Sequence, residues 1–526
     1  MPDPDDGWPS IAAMLQASAH EHADRVAVVD GDRTLTYSEL FTESRRFAAA
    51  LVADGVERGD RVAIWAFNST EWIVAVLGIH QAGATLVPIN TRFKGLEAGD
   101  LLRRGGVGVL VTVTDFLGTD YVDMLRRTAG DLPDLRTIVA ARGPATAPSV
   151  LWSDFLDRAT AETLHEIDLR RDAIGADDPA DMLFTSGTTG TPKGVVATQA
   201  QTLAVAQDWA RMTLLQKEDR YLMVNPYFHM FGLKAGILTS VSVGACMLPV
   251  PVFDVDAVLS AVEAEHVTVL PGPPTLYQSI LDHPSRSACD LSTLRVAVTG
   301  AADIPVDLVR RIYAELPFDF VVSGYGLTEA GTAASTLPTD TPEKIATTVG
   351  TARPGFEIRV TDEFDAPVPD GDVGQILLRG PSVMSRYLDD PATTASVLTA
   401  DGWLRTGDLG RVDDDGYLAI VGRTKEMFIV GGFNAYPAEI EAILMRHPAI
   451  SAVAVVGVPD ERLGEVGMAF VVAAEELDPA EVIAWARENM ANFKVPRQVR
   501  IIDELPLNAT GKVQKSALLE RADSRP

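Results

Sequence analysis

The sequence predicts an α/β protein with a large N-terminal domain of mainly parallel sheets and a small α+β C-terminal domain. Up to residue 180, and again after residue 195, strand-like runs alternate with helix-like runs, as in DRVAIWAFNSTEWIVAVLGIHQAGATLVPIN, a pattern typical of parallel sheets. Between residues 355 and 422 the alternation is hydrophobic–polar with tight turns such as Asp415-Gly416, which predicts an antiparallel, barrel-like part. After Gly422, the helix-like AEIEAILMRH and the strand-like SAVAVVGVP and GMAFVVAA predict the second domain.

The length of 526 residues is too great for a single hydrophobic core. We place the domain boundary in the glycine- and charge-bearing segment Gly422–Lys425, which gives domains over residues 1–422 and 423–526. The second domain, of about 100 residues, is long enough to fold around its own core.

The charge and the cysteines exclude several classes of function. There are 73 acidic and 45 basic residues, a net charge of -28, and such a field repels nucleic acid and anionic membranes. The two cysteines, Cys246 and Cys289, have no metal-site or redox spacing. The N-terminus MPDPDDGWPS lacks the features of a signal peptide, and no apolar run reaches the length of a membrane span. We therefore expect a cytoplasmic enzyme with no integral membrane segment and no nucleic-acid partner.

The stretch TSGTTGTPKG, from Thr185 to Gly194, has an unusual composition. Its glycines allow an anion to approach backbone N–H groups, and its hydroxyls and Lys193 add donors and a positive charge. The spacing differs from the P-loop pattern, and strand-like DMLFT and GVVAT flank it, so we expect it to join two strands. Composition alone leaves two interpretations open, a phosphate-binding loop and a plain polar turn.

Four further segments carry uncommon chemistry: NPYFHMFG with His229, TGAAD from Thr299 to Asp303, SGYGLTE with Glu329, and WLRTGDLG with Asp408. Glutamate and threonine oxygens suit Mg²⁺ beside phosphates. Taken singly, His229 is better explained as a core histidine and Asp408 as an ordinary turn residue.

Taken together and in this order, the motifs resemble those of the AMP-forming acyl-CoA synthetases, the adenylate-forming superfamily. The similarity continues through GRTKEMFIVGGFNAYPAEIE and PLNATGK and covers essentially the whole chain. It implies an ATP-dependent acid–CoA ligase. A carboxylate attacks ATP to give acyl-AMP and pyrophosphate, and coenzyme A then displaces AMP. The implied ligands are ATP, Mg²⁺, coenzyme A and a small carboxylic acid, and the implied protein is a monomer or homodimer.

The resemblance also implies roles for individual residues. The loop Thr185–Lys193 would hold the β- and γ-phosphates, Thr185 and Glu329 the Mg²⁺, and Asp408 the ribose. The implied catalytic residues are Lys512, His229, Lys193 and Glu329. The implied nucleotide contacts are Thr185, Ser186, Gly187, Thr188, Thr189, Lys193, Gly300, Ala301, Ala302, Gly324, Tyr325, Gly326, Thr328, Asp408, Arg423 and Lys512.

Lys512 would bridge the substrate carboxylate and the α-phosphate. At about 4 Å and an effective dielectric near 20, one ammonium offsets about 4 kcal/mol of repulsion between two such anions. The resemblance further implies that the small domain rotates between the two half-reactions about a hinge at Lys425. That rotation would withdraw Lys512 and bring Gly431 and Gly432 to the coenzyme A channel.

The acyl pocket implied by the resemblance is formed by His229, Phe231, Leu233, Gly324, Gly331 and Thr332. Segments such as VTVLPGPPTLYQSILDHPSRSACDLSTLRVAVTGAADIPV are similar to actinobacterial ligases for the bicyclic propanoate left from steroid rings. This chain departs from them in the pocket itself, at Met230, Leu233 and AGTAAST. A polycyclic acid, a medium or long fatty acid and an aromatic acid therefore all stay open. So does a stand-alone adenylation enzyme that loads a carrier protein.

Overall fold

The structure is a computed structural model that describes residues 7–185, 192–300, 304–362, 364–423, 428–435, 437–506 and 513–523. The statements below refer to those ranges.

The strands, in chain order, are β1 Val26–Asp30, β2 Arg33–Thr36, β3 Arg61–Trp65, β4 Thr85–Pro88, β5 Val107–Val113, β6 Thr137–Arg142, β7 Val150–Leu151, β8 Pro179–Thr185, β9 Lys193–Thr198, β10 Arg220–Met223, β11 Cys246–Pro249, β12 Val269–Pro271, β13 Val296–Gly300, β14 Phe320–Leu327, β15 Gly331–Ser335, β16 Thr351–Ala352, β17 Glu357–Thr361, β18 Gly374–Arg379, β19 Arg386–Tyr387, β20 Leu404–Val412, β21 Leu418–Arg423, β22 Phe428–Val430, β23 Phe433–Ala435, β24 Ile450–Asp460, β25 Gly464–Ala473 and β26 Gln498–Ile501.

The α-helices are α1 Ile11–Glu21, α2 Tyr37–Ala53, α3 Thr70–Gln81, α4 Gly95–Arg104, α5 Tyr121–Thr128, α6 Trp152–Leu156, α7 Ala161–Ala173, α8 Gln199–Met212, α9 Met230–Gly232, α10 Thr239–Val243, α11 Val255–Glu265, α12 Pro274–Leu281, α13 Val306–Glu315, α14 Pro342–Thr347, α15 Pro391–Val397, α16 Pro437–Leu444, α17 Pro479–Asn489 and α18 Lys515–Asp523. A π-helical turn, Leu233–Leu238, joins α9 to α10, and a 3-10 turn spans Pro284–Ala288. Across the described helices, none has both the length and the apolar character needed to cross a bilayer.

Two large sheets form the N-terminal part, as the alternating pattern predicts. One has the strand order β16-β15-β14-β13-β12-β10-β11-β1-β2 and the other β19-β9-β8-β4-β3-β5-β6-β7. Their central strands pair in parallel. The predicted mixed, mainly parallel architecture is confirmed.

The antiparallel part and the C-terminal fold are also confirmed. Strands β17, β18, β20 and β21 form an antiparallel four-stranded sheet in that order. Strands β22 to β26 form a separate five-stranded sheet with its own apolar core against α16 and α17. The boundary between residues 422 and 423 stays a prediction, and Lys425 lies outside the described residues.

Strand pairing explains why distant motifs meet. Strands β4 and β8 run parallel with Leu86 opposite Asp181, so their carboxyl ends reach the same sheet edge. In the other large sheet, β13 and β14 run parallel with Gly300 opposite Gly324. In α/β sheets, ligands bind beyond the carboxyl ends of strands, and both motif-bearing edges are of this kind.

Helix α3 lies in the main core, and all twelve of its residues are buried. A helix that is buried on all sides is expected to be apolar on every face. In TEWIVAVLGIHQ the polar residues stand mainly at the two ends of the helix. His80 in this helix is fully buried, and neither ring nitrogen has a hydrogen-bond partner among the described residues. Burial, with a smaller contribution from the ammonium of Lys234, lowers the pKa of His80 to about 3.

Replacing His80 with leucine should reduce the acid sensitivity of the fold. Below the ordinary histidine pKa of about 6.5, the unfolded chain binds a proton at this position while the folded chain does not, so stability is lost as pH falls toward 3. Between pH 7.5 and pH 5 this component amounts to about 2 kcal/mol. Urea denaturation of both proteins at the two pH values measures it. Equal pH dependence in the variant and the parent protein would contradict the assignment.

Candidate functional site

The glycine–threonine loop connects two antiparallel strands, as predicted. Strand β8 ends at Thr185 directly opposite Lys193, the first residue of β9, and the Thr185 hydroxyl lies 3.5 Å from the Lys193 carbonyl oxygen. Thr185 and Lys193 therefore lie side by side at the same end of the strand pair. The predicted contacts Ser186, Gly187, Thr188 and Thr189 lie outside the described residues.

A tyrosine links this strand end to Glu329. The Tyr387 hydroxyl donates a 2.8 Å hydrogen bond to the Glu329 carboxylate, and the Lys193 ammonium lies 5.1 Å from the centre of the Tyr387 ring. The backbone N–H of Met384 donates to the Glu329 carbonyl at 2.7 Å. Lys193 and Glu329, predicted to act on the same phosphates, thus both lie beside the same tyrosine.

A second tyrosine holds the predicted ribose-binding aspartate. The Tyr325 hydroxyl donates to Asp408 Oδ2 at 2.6 Å, and Asp408 N–H donates to the Thr406 hydroxyl at 3.0 Å. Asp408 faces Arg423 in the β20–β21 pairing. Thr328 follows β14 in a half-buried turn. The adenine-side and ribose-side predictions therefore converge on the end of β14.

Two glycines of this region are required, Gly326 by a close backbone approach and Gly331 by its positive φ and a close side chain. A Cβ on Gly326 would lie 2.1 Å from the Gly331 carbonyl oxygen. Gly331 has φ +74°, and a Cβ there would lie 2.6 Å from Val205. Gly300 pairs with Gly324 at the neighbouring strand end, while Ala301 and Ala302 lie outside the described residues.

His229 is the N-cap residue of the short helix α9. Its Nδ1 accepts from the Phe231 N–H at 3.2 Å, so the neutral imidazole carries its proton on Nε2. His229 is exposed at one side. Protein atoms packed around the rest of its ring partly desolvate the imidazole, and this lowers the pKa of His229. A neutral Nε2–H donor at this point suits a carboxylate oxygen.

The turn before His229 is fixed by Asn68, which sequence reasoning missed. Its side-chain amide donates to the Met223 and Asn225 carbonyl oxygens at 2.9 Å, and its oxygen accepts from the Tyr227 N–H at 2.9 Å. Asn68 lies just after β3, more than 150 residues away in sequence. No local pattern identifies such a contact.

The predicted acyl-pocket residues lie at α9, on the π-helical turn and on β14–β15. Phe231 packs edge-to-face on Trp209 of α8 with ring centres 5.1 Å apart, and Leu233 is fully buried. Thr332 borders a cleft of about 180 Å³ between α8 and the β15 side, together with Val205 and Phe356. Gly324 faces Thr332 and Met212.

Gly431 and Gly432 form the tight turn between β22 and β23, with φ +54° and +84°. Gly431 N–H donates to the Leu463 carbonyl at 2.9 Å. Nothing in the described residues tests their predicted coenzyme A role. Lys512 and the hinge residue Lys425 lie outside the described residues, so their roles also stay predictions.

The oxygen donors fit a magnesium ion shared with phosphates. No group of three or more His, Cys, Asp or Glu side chains that could hold a metal exists within the described ranges. Mg²⁺ commonly binds through one or two protein oxygens, with waters and substrate phosphates completing its shell. The Glu329 carboxylate and the Thr185 hydroxyl are oxygen donors of that kind.

Comparison with known proteins decides the family. The profile described as AMP-binding enzyme matches residues 15–388, and the one described as AMP-binding enzyme C-terminal domain matches residues 439–512. The chain belongs to the AMP-binding enzyme family. The resemblance drawn from the motifs is confirmed.

Among curated members of the AMP-binding enzyme family, two actinobacterial proteins are 48% identical to this chain over 97% of its length and 98% of theirs. They come from Rhodococcus jostii and Mycobacterium tuberculosis, and each is named 3-[(3aS,4S,7aS)-7a-methyl-1,5-dioxo-octahydro-1H-inden-4-yl]propanoyl:CoA ligase. The predicted enzyme class, an AMP-forming acid–CoA ligase, is confirmed by these relatives.

Two solved structures of the family have the same fold. The o-succinylbenzoate CoA synthetase of Bacillus subtilis, bound to a product analogue, has a TM-score of 0.82 at 27% identity, covering 98% of this chain and 99% of that one. A Mycobacterium tuberculosis fatty acyl CoA synthetase has a TM-score of 0.70 at 31% identity, covering 97% and 98%.

Proposed function

We propose that this AMP-binding enzyme joins a bicyclic, ketone-bearing propanoic acid to coenzyme A through an acyl adenylate. The observation that carries the proposal is the 48% identity, over 97% of the chain, to two ligases named for such an acid. The Phe231 ring supports it, because it packs on Trp209 two residues after His229 and offers an apolar surface to a ring-bearing acid.

In the adenylate step, each described group has one task. His229 Nε2–H donates to the acid carboxylate, and Lys193 offsets phosphate charge. The Asp408 carboxylate, held by Tyr325, accepts from the ribose hydroxyls. Glu329 and Thr185 would hold Mg²⁺, which supplies positive charge to the phosphates. Lys512 and Arg423 keep the roles that the resemblance implies.

Replacing Tyr387 with phenylalanine should raise the Mg²⁺ concentration needed for half-maximal activity by about tenfold, the usual effect of losing a hydrogen bond that orients a metal ligand. The ring over Lys193 remains, so kcat at saturating Mg²⁺ should change little. Mg²⁺ titration at fixed ATP, with direct calorimetric measurement of Mg·ATP binding, separates the two quantities. Replacing Tyr417 with phenylalanine is the matched control, because the Tyr417 hydroxyl donates to Asp340 and not to Glu329. An unchanged Mg²⁺ requirement in the Tyr387 variant would contradict the role.

An acid panel tests the substrate class. The bicyclic propanoate, palmitic acid and ferulic acid are compared by acid-dependent AMP release in the presence of coenzyme A. We expect kcat/KM for the bicyclic acid to exceed the others by about tenfold or more, within the range that pocket shape supplies. A preference for palmitic or ferulic acid would overturn the substrate proposal and leave the enzyme class intact.

A further inference from the structure

A buried ion cluster joins the C-terminal sheet domain to the N-terminal part. Lys494 Nζ lies 2.9 Å from Glu97 Oε1 and also bonds Glu439. The three side chains are 2%, 7% and 6% exposed. Glu97 belongs to α4 of the N-terminal part, whereas Glu439 and Lys494 both belong to the C-terminal part. The Lys494–Glu439 pair is therefore internal to the C-terminal fold. The Lys494–Glu97 pair joins the two parts and is the bridge.

Aromatic contacts surround the bridge. The Arg92 guanidinium lies 4.0 Å from the centre of the Phe433 ring, which stacks on Phe493 at 5.0 Å. Lys494 lies 4.1 Å from the Phe93 ring, and Phe93 packs into the C-terminal apolar core. Water is excluded from the ion cluster on the side where the two parts meet.

The bridge lies at the sheet edge of the predicted phosphate loop. Arg92 and Phe93 follow β4, whose neighbour β8 runs parallel and ends at Thr185. Phe433 comes directly after Gly431 and Gly432 in the β22–β23 turn. We call the contact of the C-terminal sheet domain with Arg92 the docked arrangement. In it, the Arg92–Phe433 contact holds the glycine turn toward the carboxyl ends of β4 and β8, where the predicted phosphate loop begins.

The opposite face of the C-terminal sheet carries the end of the chain. On β24, Val453 and Val455 belong to the apolar core that Phe93 of the N-terminal part contacts. Ala454 and Val456 belong to a second apolar cluster on the other face of the sheet. Val513 and Leu518 pack on that other face. The face that carries α18 is therefore turned away from the docking contact.

We propose that Glu97 and Lys494 are positioning residues for the thioester-forming step: their bridge holds the Gly431–Gly432 turn at the nucleotide edge, and adenylate formation requires the bridge to open. This inference rests on the proposed function. Glu439 moves with Lys494, so it stabilises the ammonium in both arrangements, whereas Glu97 stabilises it only when docked.

The ratio of the two half-reaction rates measures this equilibrium. Adenylate formation scales with the undocked fraction and thioester formation with the docked fraction. Their ratio therefore follows the undocking equilibrium constant, whichever state predominates. A variant that is only partly folded loses both rates equally and leaves the ratio unchanged.

Glu97→Gln is the informative change. Glu97 Oε2 accepts from Lys94 N–H at the start of α4, and a glutamine oxygen preserves that cap. Its NH₂ group would then face the ammonium and could not accept from it. Loss of a charge-assisted hydrogen bond corresponds to about a tenfold change in an equilibrium. We expect the ratio of adenylate to thioester formation to rise by that factor.

Glu439→Gln is the matched control, since it removes a partner of the same ammonium without touching the bridge. In this variant, Lys494 has no carboxylate partner in the undocked arrangement but keeps Glu97 in the docked one. The docked arrangement is therefore favoured, and the ratio of adenylate to thioester formation should fall.

The full chain is assayed for acid-dependent pyrophosphate release without coenzyme A, and for acyl-CoA formation from supplied acyl-AMP. Opposite shifts for E97Q and E439Q support the proposal. An unchanged ratio in E97Q, or equal shifts in the two variants, overturns it. If the parent protein makes no acyl-CoA from any acid of the panel, the proposed function fails and this inference falls with it.

Discussion

Replacing Lys512 with alanine is expected to slow acyl-AMP formation by about a thousandfold, the rate equivalent of 4 kcal/mol. The reason is electrostatic, because a carboxylate must approach the α-phosphate of ATP and the pentavalent transition state gathers further negative charge. Lys193 lies opposite Thr185 at the strand end, and its predicted partners are the β- and γ-phosphates rather than the α-phosphate. Acid-dependent pyrophosphate release in the absence of coenzyme A measures the effect.

The second half-reaction supplies the internal control. The Lys512 variant should convert supplied acyl-AMP and coenzyme A to product at near the parent rate. Lys515 lies three residues further on and pairs with Glu441 at 2.9 Å, so Lys515→Ala should leave adenylate formation nearly unchanged. Normal pyrophosphate release in the Lys512 variant would remove the basis of the adenylate mechanism described here.

Replacing Lys234 with methionine is expected to lower the free energy of unfolding by about 3–5 kcal/mol, the cost of leaving a buried ion without its partner. Lys234 Nζ lies 3.0 Å from Asp181 Oδ1, and the two side chains are 4% and 1% exposed. The Thr202 hydroxyl donates to the other Asp181 oxygen at 2.5 Å. Urea denaturation measures the loss.

The pair also connects two parts of the site. Asp181 precedes Thr185 on β8, and Lys234 follows His229 on the π-helical turn. The double variant K234M/D181N removes both charges and should recover most of the stability lost in the single variant. Glu343→Gln breaks an exposed pair with Arg310 and should have little effect. A double variant no more stable than K234M would show that the loss arises from packing rather than from the unpaired charge.

The sequence predicted the architecture because its signals are local. The period-2 and helix-period runs, and tight turns such as that at Gly416, specify strands and helices without reference to distant residues. The β8–β9 connection is an example. Flanking strand-like segments predicted that the glycine–threonine loop would not open a helix, and Thr185 does lie opposite Lys193.

The site was predicted where one motif carries both the chemistry and its position. Tyr325 and Glu329 share one motif. Asp408 has its own motif, but it lies within strand β20 and not in the turn expected from the sequence. Their pairing, Tyr325 with Asp408 across 83 positions, follows from strand order and has no sequence signal.

The residues that were missed act through contacts made only in the fold. Tyr387 stands in the two-residue edge strand β19, too short for any periodic pattern, and reaches Glu329 because β19 pairs with β9. Lys494 and Glu97 are 397 positions apart. A single asparagine after a strand, a lone lysine or a capping glutamate is common in folded chains, so the sequence alone does not identify any of them as functional.

Oxygen-18 transfer tests the central claim, that carboxylate and coenzyme A are joined through an acyl adenylate. When the acid carries oxygen-18 in both carboxylate positions, one labelled oxygen becomes the bridge to the α-phosphate and leaves with AMP when the thiol attacks the carbonyl carbon. Mass spectrometry should therefore find one oxygen-18 in each AMP formed and the other in the acyl-CoA carbonyl. Unlabelled AMP, or label in inorganic phosphate accompanied by ADP, would contradict the account.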